Sequence, residues 1–328
     1  MSIVFDGTME SCPMKEVLAR VIPQIAESDS KVVYLDADLM SCVGMDKWAG
    51  EHPDRAFNCG IAEANMIGIA AGLSAMGYKP IVHSFGVFAS RRCFDQTFLS
   101  CGYAGNPIVI IGSDPGICAE YNGGTHMPLE DAALLREIPN STVVEITDAA
   151  MLTSVLTQMK DRSGVNYIRV GRKMYAKVYS DDHKFEIGKA EVIKDGRDVA
   201  IVGTGIMVHE AMEAAKQLAE QNIDAAVIDL FTIKPVDNEL LAKFARKTGC
   251  VVTAENHNKI GGVYSAVCES LAGICPVPIK GVAVENSFGE VGDRAYLRGR
   301  FGLTSDRIVQ YAKDVIAIKV NGTCASAG

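Results

Sequence analysis

Residues 55–78 read RAFNCGIAEANMIGIAAGLSAMGY, and the interpretation of this stretch decides the fold. A short apolar entry and Gly60 lead into a helix of alanine, glycine, isoleucine, leucine and methionine. Gly68 and Gly72 interrupt it and Gly77 closes it. Each interior glycine costs about 1 kcal/mol relative to alanine. A helix that keeps several is therefore expected to pack closely against another backbone. One carboxylate, Glu63, stands in its first turn. Negative charge is favoured at a helix N-terminus, and a buried glutamate is costly unless paired. Glu63 is either a charge that complements the helix end or a functional carboxyl, and these residues alone favour the first.

Working outward, residues 31–36 (KVVYLD) form a run of β-formers that ends at Asp36. A helix before it starts near Ser11 and Pro13 and is broken or bent at Pro23. Strands are expected at 80–85, 107–112, 142–146 and 166–170, with helices at 90–103, 129–137 and 149–160 between them. The run PIVIIG at 107–112 is fully apolar, as central parallel strands are. Residues 113–128 are too long for an ordinary connector, and such loops are often functional. This alternation implies a doubly wound parallel sheet with ligands at the carboxyl ends of its strands.

A polar stretch then leads into a second strand–helix series from Asp198 to a last helix at 305–318. The expectation is α/β: two doubly wound, mainly parallel-sheet domains at 1–175 and 190–328, joined by a linker at 176–189. Gly203-Thr204-Gly205 follows a strand but lacks the third glycine and the acidic residue of a dinucleotide site, so it reads as a tight turn. Residues 321–328 (NGTCASAG) read as a frayed tail.

A length of 328 residues suits two domains. Hydrophobic residues make up 48% and charged residues 22%, enough for a core in each. The net charge of -8, without a basic run, argues against nucleic acid as the main partner. Any anionic substrate must then be held by a few placed cations. No run of about 20 apolar residues offers a membrane span, and the N-terminus has no secretory pattern. The ten cysteines form no C-x-x-C pair and no zinc spacing, which points to reduced thiols, no metal site and a cytoplasmic protein. P-loop and G-x-S-x-G motifs are absent.

Of six histidines, His183 and His209 are expected at the surface, while His126 ends the long loop in GGTHMPLED, at the sheet edge where ligands bind. Phe85 and Phe88 (HSFGVF) are either core aromatics or a stacking surface for a flat heteroaromatic ring beside Glu63.

Taken together, FNCGIAEANMIGIAAGLSAMG, SFGVFASRRCFDQ and GGTHMPLEDAALLREIPN resemble the pyrimidine-binding domain of the transketolase family, whose enzymes use thiamine diphosphate. VIDLFTIKPVD, AENHNKIGG and VENSFGEVG are similar to turns of that family's C-terminal domain. The G-D-G…N motif of the family's pyrophosphate-binding domain is absent, since Gly292-Asp293 is followed by Arg294. The resemblance therefore implies the smaller subunit of a split transketolase. A larger subunit would supply the pyrophosphate domain and hold Mg2+ or another divalent ion, in an α2β2 assembly.

The same resemblance assigns roles. Glu63 matches the glutamate that hydrogen-bonds the aminopyrimidine and promotes formation of the nucleophilic thiazolium ylid. Phe85 and Phe88 match the aromatic residues that face the pyrimidine. His126 matches a histidine that reaches substrate oxygens, and Arg172 the arginine that grips a sugar phosphate. Ser41 is a second phosphate contact. The implied reaction moves a two-carbon ketol unit from a ketose to an aldose.

The pattern departs where substrate is read. Asp114 stands in place of a histidine, Asn122 in place of the aspartate that recognises donor hydroxyls, and no arginine lies near Ser11 and Cys12. A non-standard sugar is expected. The alternatives are the β subunit of a 2-oxo acid dehydrogenase and a non-catalytic assembly subunit.

Overall fold

The computed structural model describes residues 3–325. Its twelve strands are β1 (Val32–Asp36), β2 (Ala56–Asn58), β3 (Lys79–Phe85), β4 (Ile108–Ser113), β5 (Ser141–Glu145), β6 (Val165–Val170), β7 (Glu191–Lys194), β8 (Val199–Gly203), β9 (Ala225–Asp229), β10 (Thr232–Lys234), β11 (Val251–Asn258) and β12 (Ile279–Val284). The first sheet runs in the order β10-β5-β6-β4-β3-β1-β2, parallel except for β10. The second runs β12-β11-β8-β9-β7, parallel except for β7. This is the two-sheet α/β architecture expected from the alternation of elements. β1, β4, β5 and β6 are buried along their whole length, and the polar residues within them, such as Asp36, Glu145, Asn166 and Arg169, are buried with the apolar ones.

In the first sheet the chain steps from β1 outward to β2, then returns to lay β3 on the other side of β1. The strand order reverses there, which is where α/β sheets open a ligand crevice. Asp36, Asn58, Phe85 and Ser113 all end strands along this edge.

Several elements differ from expectation. The first helix, Met14–Ser28, runs through Pro23 without a break. Residues 90–103 are not one helix. The chain turns at Ser90 (φ -112°, ψ -80°), makes short helical turns at Arg91–Cys93 and Phe94–Gln96, and continues as a π-helix over Thr97–Tyr103. The antiparallel edge strands β7 and β10 and the helix Arg294–Phe301 were not foreseen. Residues 176–189 include the buried Val178, Tyr179 and Phe185, and bridge to the N-terminal segment at Ile3 and Met9. Of the expected tail, the helix Ser305–Ala325 takes in residues up to Ala325, and the last three lie outside the described residues.

The glycine-rich helix Glu63–Ala75 does not meet the expectation of close backbone packing within this chain. A Cβ at Gly68 or Gly72 would meet nothing within 4 Å, and Ile69 and Met76 beside them are exposed. The glycines face outward.

Candidate active site

Glu63 is the first residue of its helix and is buried, 1% exposed. Its carboxylate does not cap the helix backbone. Instead it accepts bonds from one guanidinium nitrogen of Arg92 at 2.9 and 3.0 Å, and a longer one from the Ser84 hydroxyl at 3.4 Å. Arg92 comes from the broken turn after β3. Its guanidinium lies over the Phe88 ring at 3.8 Å, and its side chain is 44% exposed. A buried carboxylate is thus held by one cation that reaches it from solvent.

Phe85, Phe88 and His126 meet around this point, with ring centroids 5.1–6.4 Å apart and the histidine edge-on to both phenyl rings. All three are partly exposed, unlike core aromatics. His126 Nδ1 is 2.9 Å from the Thr125 hydroxyl.

The loop that carries His126 is positioned by the second domain. Asn256, on β11, donates to the Pro115 carbonyl at 2.8 Å and accepts from the Ile117 N–H at 2.9 Å. Gly116 lies between these contacts at φ +48°, where a Cβ would sit 2.1 Å from Asn256 Oδ1, so glycine is required. Further on, the Gly289 carbonyl fills the space a Cβ on Gly124 would need.

Arg172 and Asp114, both expected to read substrate, are paired with each other. Arg172 donates to Asp114 from its backbone N–H (3.0 Å), Nε (2.8 Å) and Nη2 (2.5 Å), and lies over the Phe85 ring at 4.7 Å. Ser41 and Arg172 line a common cleft. Asn122 is exposed near the end of the loop's 3-10 turn. The structure therefore gathers Phe85, Phe88, His126, Arg172 and Asp114 through direct contacts, links Glu63 to Phe88 through Arg92, and sets Ser41 in the adjoining cleft.

Beneath the site lies a buried polar network that sequence reasoning missed. Arg169 donates to Asp131 at 2.8 Å, to Glu145 and to the Asn256 carbonyl at 3.1 Å, and Tyr167 donates to Asp131 at 2.7 Å. Burial pushes Glu145 up to about 7 against the pull of Arg169. Burial likewise pushes Glu255 up to about 8, although it accepts the N–H groups of Val263 and Tyr264. His257 is pushed down to about 4 by burial, helped by Arg169.

Two histidines placed at the surface by sequence are enclosed instead. His183 sits between Tyr179 and Phe185, and His209 stacks on Phe5 and is pushed down to about 4 by burial. Arg92 could have been found, since it lies inside the recognised block SFGVFASRRCFDQ. Among the described residues, no group of histidine, cysteine and carboxylate side chains is placed to hold a metal ion. None of their helices is long and apolar enough to cross a membrane. The nine cysteines whose side chains are described are all free.

Residues 10–177 match the family model of the transketolase pyrimidine binding domain, and residues 188–308 that of the transketolase C-terminal domain. The chain is 46% identical to the 6-deoxy-6-sulfo-D-fructose transketolase subunit SqwH of Clostridium sp. (strain MSTE9), over 96% of this chain and 98% of that one. It is 32% identical to a subunit of the apulose-4-phosphate transketolase of Phocaeicola vulgatus, over 89% and 94% respectively. A solved split gene transketolase, in the form of an inactive beta4 tetramer, superposes with a TM-score of 0.87 at 38% identity, covering 94% of this chain and all of that one.

Proposed function

The chain belongs to the transketolase family, and from that premise we propose that it is the small subunit of a split transketolase, moving a two-carbon ketol unit from a non-standard ketose to an aldose. Residues 1–175 form the pyrimidine-binding domain, 176–189 the linker and 190–328 the C-terminal domain. The comparisons favour this over a 2-oxo acid dehydrogenase component, since the relatives named above are transketolase subunits. Two of them are named for modified sugars, a sulfonated fructose and apulose phosphate, which supports a substrate outside the ordinary pentose phosphates.

One observation carries the reading. Glu63 is a buried carboxylate whose only charged partner among the described residues, Arg92, is half-exposed and lies on the face of Phe88. Arg92 can leave toward solvent, and Glu63 is then a buried acceptor beside aromatic faces. That fits an aminopyrimidine ring, with Glu63 sharing a proton with a ring nitrogen and Phe85 and Phe88 flanking it. Thiamine diphosphate, when bound, supplies the carbon nucleophile that no side chain offers. This chain's own residues orient and protonate: His126 meets the substrate's oxygens, with Asp114, Asn122, Ser41 and Arg172 around them. The diphosphate and a divalent ion belong to the larger subunit.

The outward glycines of the Glu63 helix, with exposed Ile69 and Met76, support an assembly, since an apolar helix face is usually covered. We assign an α2β2 arrangement and a reducing, cytoplasmic setting that suits the free cysteines. The test is Glu63→Gln in the complex purified with its partner subunit. Two-carbon transfer should fall by about 10²–10⁴-fold, with co-purification of the partner unchanged. Full activity in this variant would return Glu63 to a structural role.

A further inference from the structure

A cleft of ≈ 600 Å³ adjoins the site, and six of its lining residues are Lys15, Ser41, Glu120, Arg172, Lys173 and Arg294. Four of these are cations from three distant stretches of chain. The backbone explains why they meet. The N–H groups of Met14 and Lys15, which open the first helix, donate to the carbonyls of Lys173 (3.2 Å) and Arg172 (3.1 Å). One junction therefore aims three cationic side chains into the cleft. Arg294 reaches in from the second domain, donating to Glu120 at 3.2 Å and to the Met174 carbonyl at 3.4 Å. Glu120 is buried and shared between Arg294 and Lys173.

Four cations face two carboxylates, Glu120 and Asp114, which leaves two positive charges in excess. Arg172 is committed to Asp114, and Lys173 and Arg294 to Glu120. Lys15 is exposed and pairs with no carboxylate among the described residues. Because Arg172 lines the cleft and also covers Phe85, the cleft borders the Phe85–His126 group across that guanidinium.

We propose that Lys15 is the specificity-determining cation for the substrate's terminal oxyanion, a phosphate or sulfonate group seated in this cleft, in place of the arginine that is neutralised by Asp114. The proposal rests on the transketolase reading. A lysine ammonium is a point charge with three rotatable donors, and it suits a tetrahedral oxyanion of either kind without demanding a planar, two-point match.

The experiment uses the complex with the larger subunit and three ketose donors that share a reacting end: fructose 6-phosphate, 6-deoxy-6-sulfofructose and neutral erythrulose. Lys15→Met should raise KM for an anionic donor by about tenfold, as expected for one lost charge-assisted bond. It should leave kcat, and all constants for erythrulose, within about twofold of the parent enzyme, and Lys15→Arg should restore most of the loss. A response to both anionic donors assigns the site to the shared oxyanion, and a response to one assigns it to that group. Equal changes for all three donors, or for none, overturn the proposal.

Titration of inorganic phosphate and methanesulfonate into the full chain reads the cleft without turnover. Binding that Lys15→Met abolishes supports the proposal. No binding to the parent chain, or equal binding to both, overturns it. Failure of the parent complex to turn over any donor, erythrulose included, would refute the transketolase reading separately, and the titration would still decide the role of Lys15.

Discussion

Asp229 offers a quantitative test of how the two domains are joined. It ends β9 and is fully buried. One carboxyl oxygen accepts from the hydroxyls of Thr147 (2.6 Å), in the first domain, and Tyr179 (2.9 Å), in the segment that joins the domains, and the other has no partner among the described residues. Burial pushes its pKa up to about 8, against those two bonds. An unfolded aspartate titrates near ~3.9, so the folded chain holds a proton that the unfolded chain releases. The stability this contributes is fully present below pH ~4 and is lost as pH rises through about 8. Each pH unit over that range removes about 1.4 kcal/mol, so two units, from 6 to 8, remove about 2–3 kcal/mol. Asp229→Asn mimics the protonated acid and keeps the oxygen that Thr147 and Tyr179 address. Its stability should exceed the parent's by about 2–3 kcal/mol at pH 6 and by about 5–6 kcal/mol at pH 9, where the parent has lost the whole contribution. Urea unfolding midpoints at both pH values and one fixed chain concentration measure this. The subtraction cancels Glu145 and Glu255, which titrate in both proteins. Equal losses in variant and parent from pH 6 to pH 9 would refute the reasoning.

Other substitutions probe the same framework. Arg169→Met leaves Asp131 and Glu145 buried without their cation and should cost about 3–5 kcal/mol; a loss below about 1 kcal/mol in urea unfolding would show the network to be dispensable. Gly116→Ala forces a Cβ against Asn256 at a left-handed backbone position. It should cost about 1–3 kcal/mol and loosen the His126 loop, read as a lower unfolding midpoint and faster proteolysis within 113–128.

The strands that were legible carry their own evidence. Ile108–Ser113 is apolar up to its last residue and Val165–Val170 is largely so, because both strands are buried along their whole length, and that signal is local. The Thr232–Lys234 strand has three residues, and its partner Ser141–Glu145 lies far back in the chain, so no window of sequence contains the pairing. Arg294–Phe301 buries only Leu297 and has a glycine near its end, which leaves no apolar stripe to read. Residues 90–103 misled because their composition suits a helix. The break at Ser90 is visible only as a turn that delivers Arg92 to Glu63, and the π-helical stretch that follows is the kind of irregularity that often accompanies a functional site.

The site divides along the same line. Glu63, Phe85 and His126 each end or open an element, so a strand–helix reading places them at one sheet edge without knowledge of contacts. The substrate side depends on pairs far apart in sequence. Asp114 in place of a histidine was legible as a departure, but its effect was not, since that requires knowing that Arg172 folds back onto it. The missing arginine near Ser11 was equally legible, while Lys15 became relevant only once Met14 and Lys15 were seen bonded to the carbonyls of 172 and 173. The two departures are then one change. A carboxylate pairs with the old cation while a lysine four residues beyond Ser11, in the first turn of the helix, offers a new one. On the proposal made above, the charge for the sugar's far end is kept, but it sits on a different residue with one more methylene in its stem. Sequence alone records both substitutions as losses, and the compensation we propose rests on contacts that only the fold supplies.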